Sequence, residues 1–177
     1  MKKLVLSLMA LSMLAAVGCK NKVVEEAQPL NELQQKVDEY AEFTLTTDLS
    51  VLSENEQKMI PIFVQIAEIM DELYWEQTIG VETRNRVLDT MTDVAMKDFF
   101  NLQYGPWDRL DAEKCFVPSF GARPEGANFY PVDMTKEEFA ALNDKNKDSQ
   151  YSIIRRDENG ALKAIPYHEA YATQLAK

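Results

Sequence analysis

The sequence predicts a mainly α-helical, α+β fold with one small β-hairpin and a long irregular segment between its helices. Three observations carry this expectation. Apolar residues recur at three-four spacing through Met59, Phe63, Ile66, Met70 and Leu73, the pattern of a helix that buries one face. The stretch "YSIIRRDENGALKAI" sets two strand-like runs on either side of Asn159-Gly160, which is hairpin turn chemistry. Between these regions, residues 104–133 follow neither period.

The chain opens on "MKKLVLSLMALSMLAAVGCK", two lysines ahead of an apolar or small stretch from Leu4 to Gly18. A charged start followed by a hydrophobic run too short to span a bilayer comfortably is the form of an export signal. "AVGC" resembles the bacterial lipobox, in which the cysteine is lipidated and becomes the new N-terminus. The expectation is a lipoprotein signal peptide over residues 1–18 with Cys19 as the lipidation site. The alternative is an ordinary cleaved signal whose cysteine is incidental. Acyl chains on Cys19 would tether the protein to a bacterial membrane in the cell envelope, and the sequence leaves open which side it faces.

Residues 19–45 are polar and interrupted by Pro29, with Leu30, Leu33, Val37 and Tyr40 at helical spacing. They read as a tether running into a short amphipathic helix. Residues 46–177 form the rest of the body. Ser53 and Glu56 have the spacing of a capping box and start a helix. This helix carries the apolar stripe from Met59 to Leu73, widened by Ile62, Ile69 and Tyr74. Pro61 falls inside it and predicts a kink or a restart, and Gly80 ends it. "VETRNRVLDTMTDVAMKDFFNLQYG" repeats the pattern through Val87, Met91, Val94 and Phe99. It predicts a second long helix, antiparallel to the first because the connection is short.

Residues 104–133 contain four prolines and six aromatic residues. So many large rings argue against disorder, and ordered loops of this length are often functional. The other reading is a loop that only covers the core. Thr135 and Glu138 then form a second capping box, heading a short helix. The hairpin occupies residues 150–166, where Pro166 stops the second strand, and "YHEAYATQLAK" begins a last helix.

Charge excludes one class of partner. The net charge is -10, and removal of residues 1–18 takes Lys2 and Lys3 with no acid, giving -12. No basic stripe exists to meet phosphates, so nucleic acid is not an expected partner. With Cys19 acylated, Cys115 has no partner in the chain, which is not a disulfide scaffold.

The single histidine, His168, precedes Glu169, as in the zinc-peptidase signature HExxH. That signature needs a second histidine four residues on, to stack both imidazoles on one helix face. Ala172 stands there. The expectation is that this chain supplies no metal ligand and no catalytic residue, and that His168 caps or hydrogen-bonds at a helix start. No serine sits in a sharp nucleophile turn, and "GARPEG" does not precede a helix as a phosphate loop would. Acids such as Asp108 and Asp111, or Glu137 and Glu138, read as solvated charges or helix N-terminal acids.

Four segments, in order, resemble the dipeptidyl peptidase III family, in particular its bacterial lipoprotein relatives. They are "LTTDLSVLSENEQKMIPIFVQIAEIMDELYW", "YGPWDRLDAEKCF", "PEGANFYPVDMTKEEF" and "YSIIRRDENGALKAIPYHEAY". The resemblance covers Thr44 to Lys177 and matches the N-terminal portion of the family. It implies an incomplete helical lobe of a two-lobed peptidase, with a peptide substrate in the cleft. It also implies zinc as the cofactor of the full-length family, bound through residues encoded further downstream and not through His168-Glu169. The residues it suggests for a cleft wall are Asn128, Phe129, Tyr130 and Trp107, with Asp108 and Arg109 behind them. Asn128 offers a peptide backbone one donor and one acceptor group. Against this stands a purely structural role, with Trp107 and Phe129 anchoring the loop and Asp108-Arg109 pairing to fix it.

The expected function is therefore the N-terminal part of a membrane-anchored zinc-dependent peptidase, contributing cleft wall but not the metal site. The alternative is a complete small envelope lipoprotein acting as a binding module. A self-sufficient metal-free hydrolase has no constellation of residues to support it.

Overall fold

The computed structural model describes residues 32–177. The expected signal peptide, Cys19 and the first part of the expected tether lie outside the described residues. Helix α1 (Glu32–Asp38) is followed by an extended stretch and a 3-10 turn at Leu49–Val51. Helix α2 (Glu54–Thr78) is the longest element. Ser53 Oγ accepts the Glu56 N–H while the Glu56 carboxylate accepts the Ser53 N–H, so the capping box forms as its spacing predicts.

Pro61 neither breaks nor restarts α2, which runs as one helix through it. Gly80, at φ +84°, turns the chain out of α2 and caps α3 (Val81–Thr90). The second long helix expected from periodicity is in fact two. α3 ends at Thr90, Met91 is extended, and α4 (Val94–Gln103) starts afresh. The reason is Asp93, whose carboxylate accepts the Met96 N–H and so caps a new helix.

The segment that showed no period contains two short pieces of structure. Strands β1 (Trp107–Asp108) and β2 (Lys114–Cys115) pair antiparallel across a turn where Ala112 and Glu113 both take positive φ. A 3-10 turn at Ala127–Phe129 follows and packs on α2. Thr135 and Glu138 form the second capping box, opening α5 (Lys136–Ala141). Strands β3 (Ser152–Arg156) and β4 (Leu162–Pro166) make the predicted hairpin, in register from Ser152 opposite Pro166 to Arg156 opposite Leu162. Gly160 alone takes the left-handed conformation in its turn, and the Asp157 carboxylate holds the N–H groups of Asn159 and Ala161. The last helix is also divided, into α6 (Tyr167–Ala170) and α7 (Ala172–Leu175), because Tyr171 between them leaves helical geometry to bury its ring.

The core sits at the C-terminal end of α2. Trp75, Phe100 and Val117 form its centre, with Ile79, Val87, Leu88, Met91, Phe116 and Phe120 packed around them. Trp75 and Phe100 stack with ring centroids 5.6 Å apart. A smaller cluster joins the hairpin to the last turns through Ile153, Ile154, Ala164 and Tyr171, all buried. The whole is an α+β body built around one end of its longest helix.

Candidate functional site

The aromatic segment is ordered because each large side chain finds a partner. Trp107 is buried on β1, donating its indole N–H to the Gly121 carbonyl at 2.9 Å and packing edge-on to Phe120. Its ring belongs to the packing. Asp108 pairs with Lys36 of α1 at 2.5 Å, not with Arg109, so the expected Asp108-Arg109 pair does not form. Arg109 instead lies over the rings of Tyr74 and Tyr104 and donates to the Tyr74 hydroxyl. Two aromatic faces next to a guanidinium outcompete a neighbouring carboxylate already engaged by an ammonium group.

The "GANFY" stretch closes over the end of α2. Asn128 donates its side-chain amide to the Glu76 carbonyl at 2.7 Å, and its own carbonyl accepts from Arg155 Nη2 at 2.9 Å. Glu76 Oε2 accepts the Val81 N–H at the start of α3. Asn128 thus ties α2 to the hairpin, and its Oδ1 has no hydrogen-bond partner among the described residues. Ala127 holds φ +48° directly before it, a conformation costly for a residue with a Cβ. Tyr130 packs edge-on to Phe139 over Gly126. Phe129 is half-buried and, with Ala112, Arg123 and Pro124, lines an open depression of about 560 Å³. The structure brings Asn128, Phe129 and Tyr130 together on one turn, and Trp107 lies apart from them in the packing.

A second site had no motif to announce it. Met70, Leu73, Tyr74 and Gln77 of α2 face Tyr167, His168, Tyr171 and Leu175 across a largely apolar cavity of about 510 Å³. Burial pushes the phenols of Tyr171 and Tyr167 upward in pKa, so both are neutral hydroxyls at pH 7. The sequence signals for it were the α2 stripe through Met70, Leu73 and Tyr74 and the four-residue spacing of Tyr167 and Tyr171.

His168 makes no side-chain cap at α6 and is largely exposed, 3.8 Å from Glu169. Cys115 donates its thiol to the carbonyls of Val117 and Phe120. Among the described residues, no group of three or more His, Cys, Asp or Glu side chains is placed to hold a metal ion. The residues described do not fit a zinc site, and no metal-assisted step is assigned to them.

The chain forms an α+β body packed around one end of a long helix, with an aromatic segment over that end. Two solved structures share it. Dipeptidyl peptidase III from Caldithrix abyssi superposes with a TM-score of 0.71 at 35% identity, covering 80% of this chain and 29% of its own. Dipeptidyl-peptidase III from Corallococcus sp. strain EGB gives 0.69 at 26% identity, covering 81% and 29%. By this likeness the chain fits an N-terminal portion of the dipeptidyl peptidase III fold. Among curated proteins, Nudix hydrolase 3 of Arabidopsis thaliana is 26% identical over 86% of this chain and 27% of its own length. No family model matches the sequence. The chain spans under a third of the length of each of these relatives.

Proposed function

We propose that this chain forms one wall of the substrate cleft in a membrane-anchored, zinc-dependent hydrolase of the dipeptidyl peptidase III type. The observation that carries this reading is the likeness of most of the chain to two solved dipeptidyl peptidases III. Nudix hydrolase 3 matches at 26% identity, below the 35% of the Caldithrix abyssi peptidase, and it brings no reaction here. Peptide would lie against the turn that carries Asn128, Phe129 and Tyr130. Zinc, which would activate the attacking water when bound, would be held by residues outside this chain.

The lipobox-like "AVGC" adds the anchor, through acyl chains on Cys19. The test uses the whole protein encoded at this locus. It should release dipeptides from the N-terminus of unmodified peptides, lose that activity to a chelator and regain it with zinc. Cys19→Ser should move the protein from the membrane to the soluble fraction without changing turnover. Absence of chelator-sensitive dipeptide release from the purified whole protein would overturn the peptidase reading. It would leave an envelope binding module in its place.

A further inference from the structure

Glu76 and Arg155 carry opposite charges and line one small cavity, yet their hydrogen bonds go elsewhere. The cavity holds about 270 Å³ between the end of α2, the β3–β4 hairpin and α7, with Ile153, Ile165, Tyr171 and Gln174 in its wall. Glu76 and Arg155 are half-buried and Tyr171 is buried. Burial is the main reason the Tyr171 phenol is pushed upward in pKa, and from there Arg155 lowers it and Glu76 raises it. Both charges therefore reach the same hydroxyl.

Arg155 gives Nη1 to the Ile154 carbonyl and Nη2 to the Asn128 carbonyl, which leaves the rest of its five N–H donors. Glu76 Oε2 accepts the Val81 N–H, and Oε1 has no hydrogen-bond partner among the described residues. Each of these bonds is made to a neutral main-chain group, so neither formal charge is neutralised. Opposite charges drawn partly out of water ordinarily meet in a direct pair. Here their anchors hold them apart, Glu76 at the start of α3 and Arg155 at the turn of Asn128. The space in the cavity is far larger than one bridging water requires.

We infer that this cavity binds a small zwitterion, a free amino acid or a dipeptide, whose ammonium group pairs with Glu76 Oε1 and whose carboxylate takes the remaining N–H groups of Arg155. One molecule carrying both charges matches both walls at once, whereas a lone cation or anion leaves the opposite charge unmatched. The aliphatic side chains of Ile153 and Ile165 in the wall suit a small apolar side chain on the ligand. The site also touches the turn described above. Glu76 accepts the Asn128 amide at its main-chain carbonyl, and Arg155 holds the Asn128 carbonyl. A bound zwitterion thus links the two supports of that turn. None of these contacts depends on the peptidase reading.

The test is titration calorimetry of the whole protein with L-alanine and with L-alanyl-L-alanine, each beside its N-acetyl and C-terminal amide forms. The expected result is saturable binding of at least one zwitterion at millimolar concentration or below, with both of its blocked forms failing. The alanine and dipeptide arms tell the two sources apart. Glu76→Gln keeps an acceptor for the Val81 N–H while removing the charge, and should weaken binding about tenfold or more. Arg155→Lys should weaken it through the carboxylate, and the two variants together protect the test against a folding defect in either. No binding of either zwitterion would overturn the inference and leave a water-filled cavity. Equal binding of a blocked form would overturn recognition by paired charges. Binding unchanged in both variants would place the ligand elsewhere and overturn it as well. A protein that binds the zwitterion here but releases no dipeptide keeps the site and loses the enzyme.

Discussion

Lys36 of α1 places its ammonium 2.5 Å from the carboxylate of Asp108, a residue 72 positions later. The side chain of Asp108 is 6% exposed and that of Lys36 27%, so the pair is largely withdrawn from water. Tyr40, just after α1, accepts from Gln103 at 2.6 Å, and Gln103 in turn accepts the Arg109 N–H. These contacts fasten the segment nearest the N-terminal tether onto the aromatic segment. A buried carboxylate whose ammonium partner is removed loses more than the bond, because the remaining charge is left without compensation.

The pair should show in the pH dependence of stability. Burial alone would push the Asp108 carboxyl upward, but Lys36 and the N–H groups of Leu110 and Asp111 outweigh it and hold the pKa below the ordinary value. The hydrogen bond to Asp108 raises the pKa of Lys36. A depressed carboxyl stabilises above its unfolded pKa of about 3.9, and a raised ammonium does so below about 10.4. The contribution is therefore full between those limits. It is lost as pH falls through the folded Asp108 pKa or rises through that of Lys36. Asp108→Asn should cost about 1–3 kcal/mol near pH 7, with the gap from wild type closing at both extremes in thermal melts. A gap independent of pH would assign the loss to packing.

Phe100→Ala should be among the most damaging single changes in the chain. Phe100 is fully buried against Trp75, and emptying such a site typically costs about 3–5 kcal/mol. Denaturant unfolding followed by tryptophan fluorescence would show it, since Trp75 loses its stacking partner in the variant.

Local chemistry in the sequence was legible where one short motif decides the outcome. Ser53 with Glu56 and Thr135 with Glu138 cap helices as their spacing predicts, and the hairpin forms around Gly160. What stayed hidden depended on competition between signals. The apolar period continues across Met91 and Val94, but Asp93 caps a new helix there, and a capping carboxylate does not alter a hydrophobic period. Trp107 offered a ring that suits a cleft or a core equally, and only the indole bond to Gly121 decides for packing. Likewise, nothing in the alphabet of residues 108 and 109 reveals that Lys36 arrives to claim Asp108. The Met70–Leu175 cavity joins elements almost a hundred residues apart, which no local period encodes.

Asp93→Ala tests the break between α3 and α4. Losing a carboxylate N-cap costs about 1 kcal/mol, and here it would free Met96 N–H to seek another acceptor. A modest fall in melting temperature with unchanged helical content is expected. A gain in helical circular dichroism would show instead that the two helices had fused.

Gly126→Ala should displace Tyr130. Gly126 sits at φ +77°, and a Cβ there would come within 2.5 Å of the Tyr130 ring. The left-handed backbone alone costs about 1–2 kcal/mol for a residue with a side chain. The ring must also leave its edge-on contact with Phe139. A reduced near-ultraviolet tyrosine signal, with far-ultraviolet signal retained, is the expected signature.

Asn128 separates the two roles that its turn can play. Its amide bond to the Glu76 carbonyl makes it an anchor for the end of α2, and Asn128→Ala should cost about 0.5–1.5 kcal/mol in stability on that account. Its Oδ1 remains available to accept from a peptide N–H in the proposed cleft. If substrate uses that acceptor, the whole peptidase carrying Asn128→Ala should show a raised KM with kcat changed much less, and Asn128→Asp, which keeps an acceptor oxygen, should raise it less. Asn128→Asp also removes the amide donor, so its melting temperature should fall about as far as that of Asn128→Ala, and KM must be compared between the two. Equal KM values in the variants and the parent, together with the shared loss of stability, would restrict Asn128 to holding α2 against the hairpin.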